Sequence, residues 1–361
     1  GESAIKIFGN KAHEVITRNP YTLITFMADM KMVDAYALDR LGFSEDSVER
    51  LVGYSKKVLF DAFDAGNTCL PLAEFKYRLT RQLGFELAGK AIESAELEGE
   101  VVLRHGMAQV KSMELVESSL ASIIKQLNSE SCEVETSALR DILAHFESEQ
   151  GFDLTDEQRA AVDACARNSI TLLTGGAGCG KTTVLDAICT VLEQTGSSDQ
   201  ILMMALSGKA AQRMSEASGR DAMTIAGFLY HVKDEQIAEN ATFIIDEASM
   251  VDTLSLLRIV KRLKSRCRLI LTGDPEQLPP VGVGLGMHVL VNVPILENPH
   301  LTVVKRQTSE SGIPSVADAV RNYSSGDQIK FAKYSGVGSG VSFVDAIESE
   351  LNEACFNVYK D

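Results

Sequence analysis

Gly175-Gly176-Ala177-Gly178-Cys179-Gly180-Lys181-Thr182 follows the apolar, β-prone run Ile170-Thr171-Leu172-Leu173-Thr174 and precedes a helical stretch from Thr183 to Gln194. This is the complete phosphate-binding P-loop pattern, in the strand–loop–helix setting that gives it meaning. Glycines let the backbone curl so that its N–H groups point at phosphate oxygens, with the positive end of a helix beneath them. Gly175 to Thr183 is the expected nucleotide-binding stretch. Lys181 should reach the β- and γ-phosphates, and Thr182 should place its hydroxyl on Mg²⁺.

A second run, Phe243-Ile244-Ile245, ends in Asp246-Glu247. Two carboxylates at the carboxyl end of a buried strand stand where open α/β sheets bind ligands. Asp246 can hold Mg²⁺ and Glu247 can orient or deprotonate an attacking water. A third run, Arg268 to Thr272, leads to Gly273-Asp274-Pro275-Glu276-Gln277. Gln277 is a neutral amide near the same edge, able to hydrogen-bond a γ-phosphate and report its hydrolysis.

These motifs need a parallel sheet to position them. From Leu154 onward strands alternate with helices, the signature of an α/β fold. Before that, the first 65 residues read as short helices, broken at Asn19-Pro20 and Gly66-Asn67. Residues 66–127 read as helix, helix, short hairpin (Val101-Val102-Leu103, turn, Ala108-Gln109-Val110) and helix, a winged-helix-like order. Such units bind DNA in some proteins and only pack against a partner domain in others. Residues 128–157 hold nine acidic side chains and one basic one, Arg140, and read as a solvated helix face and linker. Arg258 to Arg268 carries six basic residues in eleven and reads as a solvated helix face rather than a nucleic-acid track. The expected division is 1–65, 66–127, an acidic linker or helix over 128–153, an ATPase domain over 154–326, and the start of a further segment over 327–361.

A net charge of −15 argues against binding nucleic acid by bulk charge, but leaves room for a local basic groove. The hydrophobic fraction of 45% with 24% charged residues is that of an ordinary globular chain. No stretch approaches the roughly 18 consecutive apolar residues of a membrane span, so no membrane partner is expected. The seven cysteines are scattered, without Cys-x-x-Cys or zinc spacing, and read as reduced thiols of a cytoplasmic protein. The start, Gly1-Glu2-Ser3, lacks Met and a signal peptide, as in a processed or recombinant fragment.

Leu154-Thr155-Asp156-Glu157-Gln158, the P-loop, Ala205 to Ala211, Asp246 to Val251 and Gly273 to Gly282 occur in the order found in RecD-like superfamily-1 DNA helicases. Upstream, Asn19-Pro20-Tyr21-Thr22-Leu23 and Ala65 to Pro71 resemble the N-terminal region of the longer members. The resemblance covers nearly the whole chain. It implies an α/β P-loop NTPase with a RecA-like parallel sheet, preceded by a mainly α region with a winged-helix-like unit. It also implies ATP and Mg²⁺ as cofactors, single-stranded DNA as partner, 5′→3′ translocation, and a setting in DNA repair or recombination. Gln158 would recognise adenine. Ser207, Lys209 and Arg213 would hold the DNA backbone. Arg306, in Val304-Lys305-Arg306-Gln307, would meet the γ-phosphate as a finger.

The sequence also departs from the family. Met27-Ala28-Asp29-Met30-Lys31-Met32 stands where a glycine-bearing hairpin is usual, and Ala226 where His is usual. The stretch between Leu229 and Phe243 is too short for the strand-separating pin, so a reduced or absent pin is expected. The family's second RecA-like domain has no counterpart after Arg306, so weak Mg-ATP binding and no unwinding by this polypeptide alone are expected. Two rival readings are the helicase part of a conjugative relaxase and a non-motor scaffold that binds DNA or partners. The intact P-loop and the Asp246-Glu247 pair speak against the scaffold.

Overall fold

Asn19-Pro20 stops the first helix where the sequence says it should. In the computed structural model, which describes residues 6–130, 134–176, 178–303, 319–320, 332–333 and 342–343, helix α1 spans Ala12–Arg18. The Asn19 side chain then accepts the Tyr21 N–H at 3.1 Å and starts a 3₁₀ turn over Pro20–Phe26. Helices α2 (Met30–Leu41) and α3 (Val48–Phe63) follow. Asp29 caps α2 by accepting the Met32 N–H at 3.0 Å. Between the 3₁₀ turn and α2, Met27 adopts the left-handed conformation with φ 62°, so the chain turns here around a methionine where the family usually has glycine. Asp34 and Arg50 join α2 to α3 through a buried ion pair at 2.8 Å, and the Tyr21 and Tyr54 hydroxyls donate to the same carboxylate. Burial works to raise the Asp34 pKa, but hydrogen bonds from Arg50, Tyr21 and Tyr54 outweigh it and hold the carboxyl below its ordinary range.

The next unit has the expected helix, helix, hairpin order. Strand β1 (Leu70–Pro71) leads into α4 (Leu72–Leu83) and α5 (Phe85–Leu97), followed by β2 (Val101–Arg104) and β3 (Met107–Val110). The two-residue β1 escapes a reading by period and adds a third antiparallel strand, in the order β1-β3-β2. Helix α6 (Lys111–Asn128) closes the unit, yet Leu120, Ile124 and Leu127 of its second half are buried in the core of the domain that follows. The unit and the α/β domain therefore share this helix.

The acidic stretch is more than a linker. Helix α7 (Thr136–Gln150) buries Leu139, Leu143 and Phe146 in the same core cluster as Val184 and Ile188. Their spacing of four and three places them on one helix face, and the charges take the other.

Helix α8 (Asp156–Arg167) opens the α/β layer, followed by β4 (Ile170–Gly175), α9 (Lys181–Gln194), β5 (Ile201–Ala205) and α10 (Gly208–Ser218). After β6 (Ala222–Thr224), α11 (Ile225–His231) and β7 (Thr242–Ile245) come α12 (Thr253–Val260), β8 (Arg268–Gly273), α13 (Gly286–Leu290) and β9 (His300–Leu301). The six strands form a parallel sheet in the order β6-β5-β7-β8-β4-β9. Alternate residues serve opposite layers: Phe243, Ile245, Leu269 and Leu271 join the core with α6, α11 and α12. Ile244 and Ile270 join the core with α7, α8 and α9.

Two expectations outside the motifs resolve here. Residues 230–241 contain the end of α11 and one 3₁₀ turn, Asp234–Gln236, and no hairpin. The basic stretch 258–268 is not one solvated helix. The α12 helix ends at Val260, Arg262 lies over the Phe228 ring at 4.6 Å and bonds Asp234, and Arg268 is buried, donating to the Ser197 and Ala166 carbonyls. Packing, not hydration, takes these two side chains.

Candidate nucleotide-binding site

Strand adjacency decides which distant residues meet. Because β7, β8 and β4 lie side by side and parallel, the loops after their carboxyl ends open together. A cavity of about 570 Å³ lies there. Its walls are Gly178, Gly180, Lys181, Thr182 and Thr183, then Asp246, Glu247 and Ser249, then Gly273, Asp274 and Gln277, with Ala210, Arg213, Met214 and Ala217 from α10. A larger groove of about 710 Å³ between α3 and α4 carries mixed charges, of which Arg78 is already paired with Glu74, and no convergent chemistry.

The P-loop is held from both flanks. Gly180 has φ 80°, a turn that favours glycine, and a Cβ there would lie 2.5 Å from the Gln158 Nε2 and push that amide aside. A Cβ on Gly175 would lie 2.8 Å from the Leu301 carbonyl oxygen of the adjoining β9. The Lys181 ammonium donates to the carbonyl oxygens of Gly175 at 2.5 Å and Gly176 at 2.9 Å, curled over the loop that it would serve. Gly176 and Cys179 belong to the same loop, Cys179 being buried. Ala177 lies outside the described residues.

Asp246 and Glu247 differ in environment although adjacent. Burial, with the neighbouring Glu247 charge adding to it, raises the Asp246 carboxyl above its ordinary range. Glu247 is exposed and left-handed, with φ 53°. Backbone strain of this kind at a non-glycine residue clusters at functional sites. Gln277 reaches the cavity from the loop after β8, its Nε2 donating to Asp274 at 3.2 Å.

Gln158 is buried and does not line the cavity. Its Oε1 accepts the Thr155 N–H at 3.0 Å in a capping box, and its Nε2 donates to the Cys179 carbonyl at 3.3 Å. The three residues expected on DNA separate. Ser207 caps α10, accepting the Ala210 N–H at 3.2 Å, and both Ser207 and Lys209 are exposed outside the cavity, whereas Arg213 lines it. Arg306 lies outside the described residues. The sequence reading missed Glu157, which accepts hydrogen bonds from both the N–H and the hydroxyl of Thr302. Its only signal in the sequence is its place beside Gln158.

Among the described residues no three His, Cys, Asp or Glu side chains cluster as a metal centre, and no helix is long and apolar enough to cross a membrane. Cys165 and Cys189 are buried, and burial pushes both thiols up to about 12, away from reactivity.

Residues 153–339 match the AAA-domain family, and residues 2–69 match the HHH domain of the ATP-dependent RecD2 DNA helicase. The ATP-dependent RecD2 DNA helicase of Deinococcus radiodurans is 32% identical over 45% of this chain and 23% of its own length. The RecBCD enzyme subunit RecD of Mycolicibacterium smegmatis is 29% identical over 38% of this chain and 30% of its own. The conjugal transfer protein TraA of Agrobacterium fabrum is 31% identical over 38% of this chain and 13% of its own. The chain thus matches less than a third of the length of each of these curated relatives. The chain belongs to the AAA-domain family, and with its N-terminal match it is similar to the N-terminal region and first RecA-like domain of RecD-like superfamily-1 helicases.

Proposed function

We propose that this chain supplies the nucleotide-hydrolysing part of an ATP-dependent 5′→3′ DNA helicase, in which hydrolysis is coupled to translocation along single-stranded DNA. The observation that carries the reading is the convergence of Lys181, Thr182, Asp246, Glu247 and Gln277 on one cavity at the carboxyl edge of the sheet. The names of the RecD2 and RecD relatives support the class of activity.

In this reading Lys181 exchanges the carbonyls of Gly175 and Gly176 for the β- and γ-phosphates. The Thr182 hydroxyl and Asp246 carboxylate line the same cavity and are hard oxygen donors, the type that suits Mg²⁺. Mg²⁺ bound there would offset the charge of the phosphate oxygens. Glu247, exposed at the cavity, orients the attacking water and draws a proton from it. Gln277 contacts the γ-phosphate, and Arg306 completes the charge balance as the finger that the family resemblance implies. Adenine recognition by Gln158 requires its amide to leave the Cys179 carbonyl. Ser207 and Lys209, at the start of α10, hold the DNA backbone without reading bases, so binding is sequence-tolerant and salt-sensitive. A cytoplasmic setting and partners from repair or recombination belong to the same proposal.

A conjugative relaxase would share these motifs. The match of residues 2–69 to a RecD2 domain favours the helicase. The test is single-stranded-DNA-stimulated ATP hydrolysis by the full-length protein and its Lys181→Ala variant. Turnover should collapse in the variant, and equal turnover in both would overturn the assignment.

A further inference from the structure

Among the described residues, Arg213 lines the nucleotide cavity with no partner holding it. Ala210, Arg213, Met214 and Ala217 are spaced three, one and three apart along α10 and form a single face that walls the cavity. Ala210 and Ala217 are small and Met214 is buried, so Arg213 is the one long polar side chain on that wall. Its side chain is exposed, and among the described residues it makes no hydrogen bond or ion pair. Arg220, just beyond α10, is different: it is engaged by Asp186 and Glu193.

We propose that Arg213 binds the phosphate chain of the nucleotide, rather than DNA as the family resemblance implies; this inference rests on the nucleotide-site reading above. Of the five charged residues lining the cavity, three are carboxylates, Asp246, Glu247 and Asp274, against Lys181 and Arg213. A polyphosphate entering that setting gains little from bulk field and depends on each placed cation. Lys181 grips from the P-loop as a point charge. A guanidinium adds a planar fork that matches two phosphate oxygens at once. Lys209, one turn earlier on α10, does not line the cavity and stays available to DNA.

The test is equilibrium binding by the 361-residue chain. Mant-ADP with Mg²⁺ and, separately, fluorescein-labelled oligothymidylate in nucleotide-free buffer would be titrated onto wild type, Arg213→Ala and Arg213→Lys. The expected result is a roughly tenfold weaker mant-ADP affinity in Arg213→Ala, the effect of one charge-assisted phosphate contact. Arg213→Lys should recover part of the loss, and oligothymidylate affinity and melting temperature should not move. Unchanged mant-ADP affinity, a loss confined to oligothymidylate, or an equal loss of both would overturn the assignment. A wild-type chain that does not bind mant-ADP would overturn the nucleotide-site reading, and this inference with it.

Discussion

Glu157 and Thr302, 145 residues apart, are joined by two hydrogen bonds: the Thr302 N–H donates to Oε2 at 2.8 Å and its hydroxyl to Oε1 at 2.6 Å. Thr302 directly follows β9, whose Leu301 pairs with Gly175 at the start of the P-loop. The next residue along α8, Gln158, bonds Cys179 at the loop's other end. Two adjacent side chains of one helix thus brace both flanks of the phosphate loop.

The side-chain and then the backbone hydrogen bond from Thr302 hold the Glu157 carboxyl below its ordinary range. A carboxyl depressed in the folded state stabilises above its unfolded pKa, and that contribution is lost as pH falls through the folded value. Wild type should therefore melt higher than Glu157→Ala near neutral pH, with the gap closing in acid below the usual carboxylate range. Melting curves across that range check this, and a gap independent of pH would contradict it.

Glu247→Gln should separate binding from chemistry. The amide keeps the side chain's shape but cannot take a proton, so hydrolysis should fall by about 10²- to 10⁴-fold, the typical worth of a positioned general base. Mant-ADP affinity should hold, because Lys181 and the loop amides are untouched. Phosphate release by the full-length protein, set beside equilibrium binding, measures both quantities.

Met27→Gly should stabilise the N-terminal region. Met27 is left-handed and 75% exposed, so glycine relieves the conformation while little buried apolar area is lost. The expected gain is about 1 kcal/mol. Urea denaturation of the two chains would show it as a higher midpoint with an unchanged slope.

Asp34→Ala should do the reverse. It strands the buried Arg50 guanidinium and leaves the Tyr21 and Tyr54 hydroxyls without their acceptor. Breaking one side of a buried pair costs about 3–5 kcal/mol. The same denaturation experiment reports the loss. A variant as stable as wild type would mean that the network contributes nothing net.

The strands that carry chemistry were legible because their information is local. An apolar run, a glycine-rich turn and a helix start are all read within about twenty residues, as Ile170 to Gln194 shows. Short helices and the hairpin around His105-Gly106 yielded to period and turn chemistry in the same way. The two-residue strand Leu70–Pro71 did not, because it exists only through its pairing with β3. In the acidic stretch the helix and its charged face were legible, but charge density hid the narrow apolar stripe of Leu139, Leu143 and Phe146 that packs into the core.

By itself, the sequence singled out the groups to which chemistry is assigned: Lys181, Thr182, Asp246, Glu247 and Gln277 declare themselves by type and spacing, and the fold brings them to one cavity. Tertiary structure decided where the remaining groups point. It sent Arg213 into the nucleotide cavity while Lys209 stayed outside, buried Gln158 beneath the loop, and brought Thr302 to Glu157. The physical reason is that helix facing and strand order are set by burial of apolar side chains across the whole sheet. No local stretch of chain contains that information.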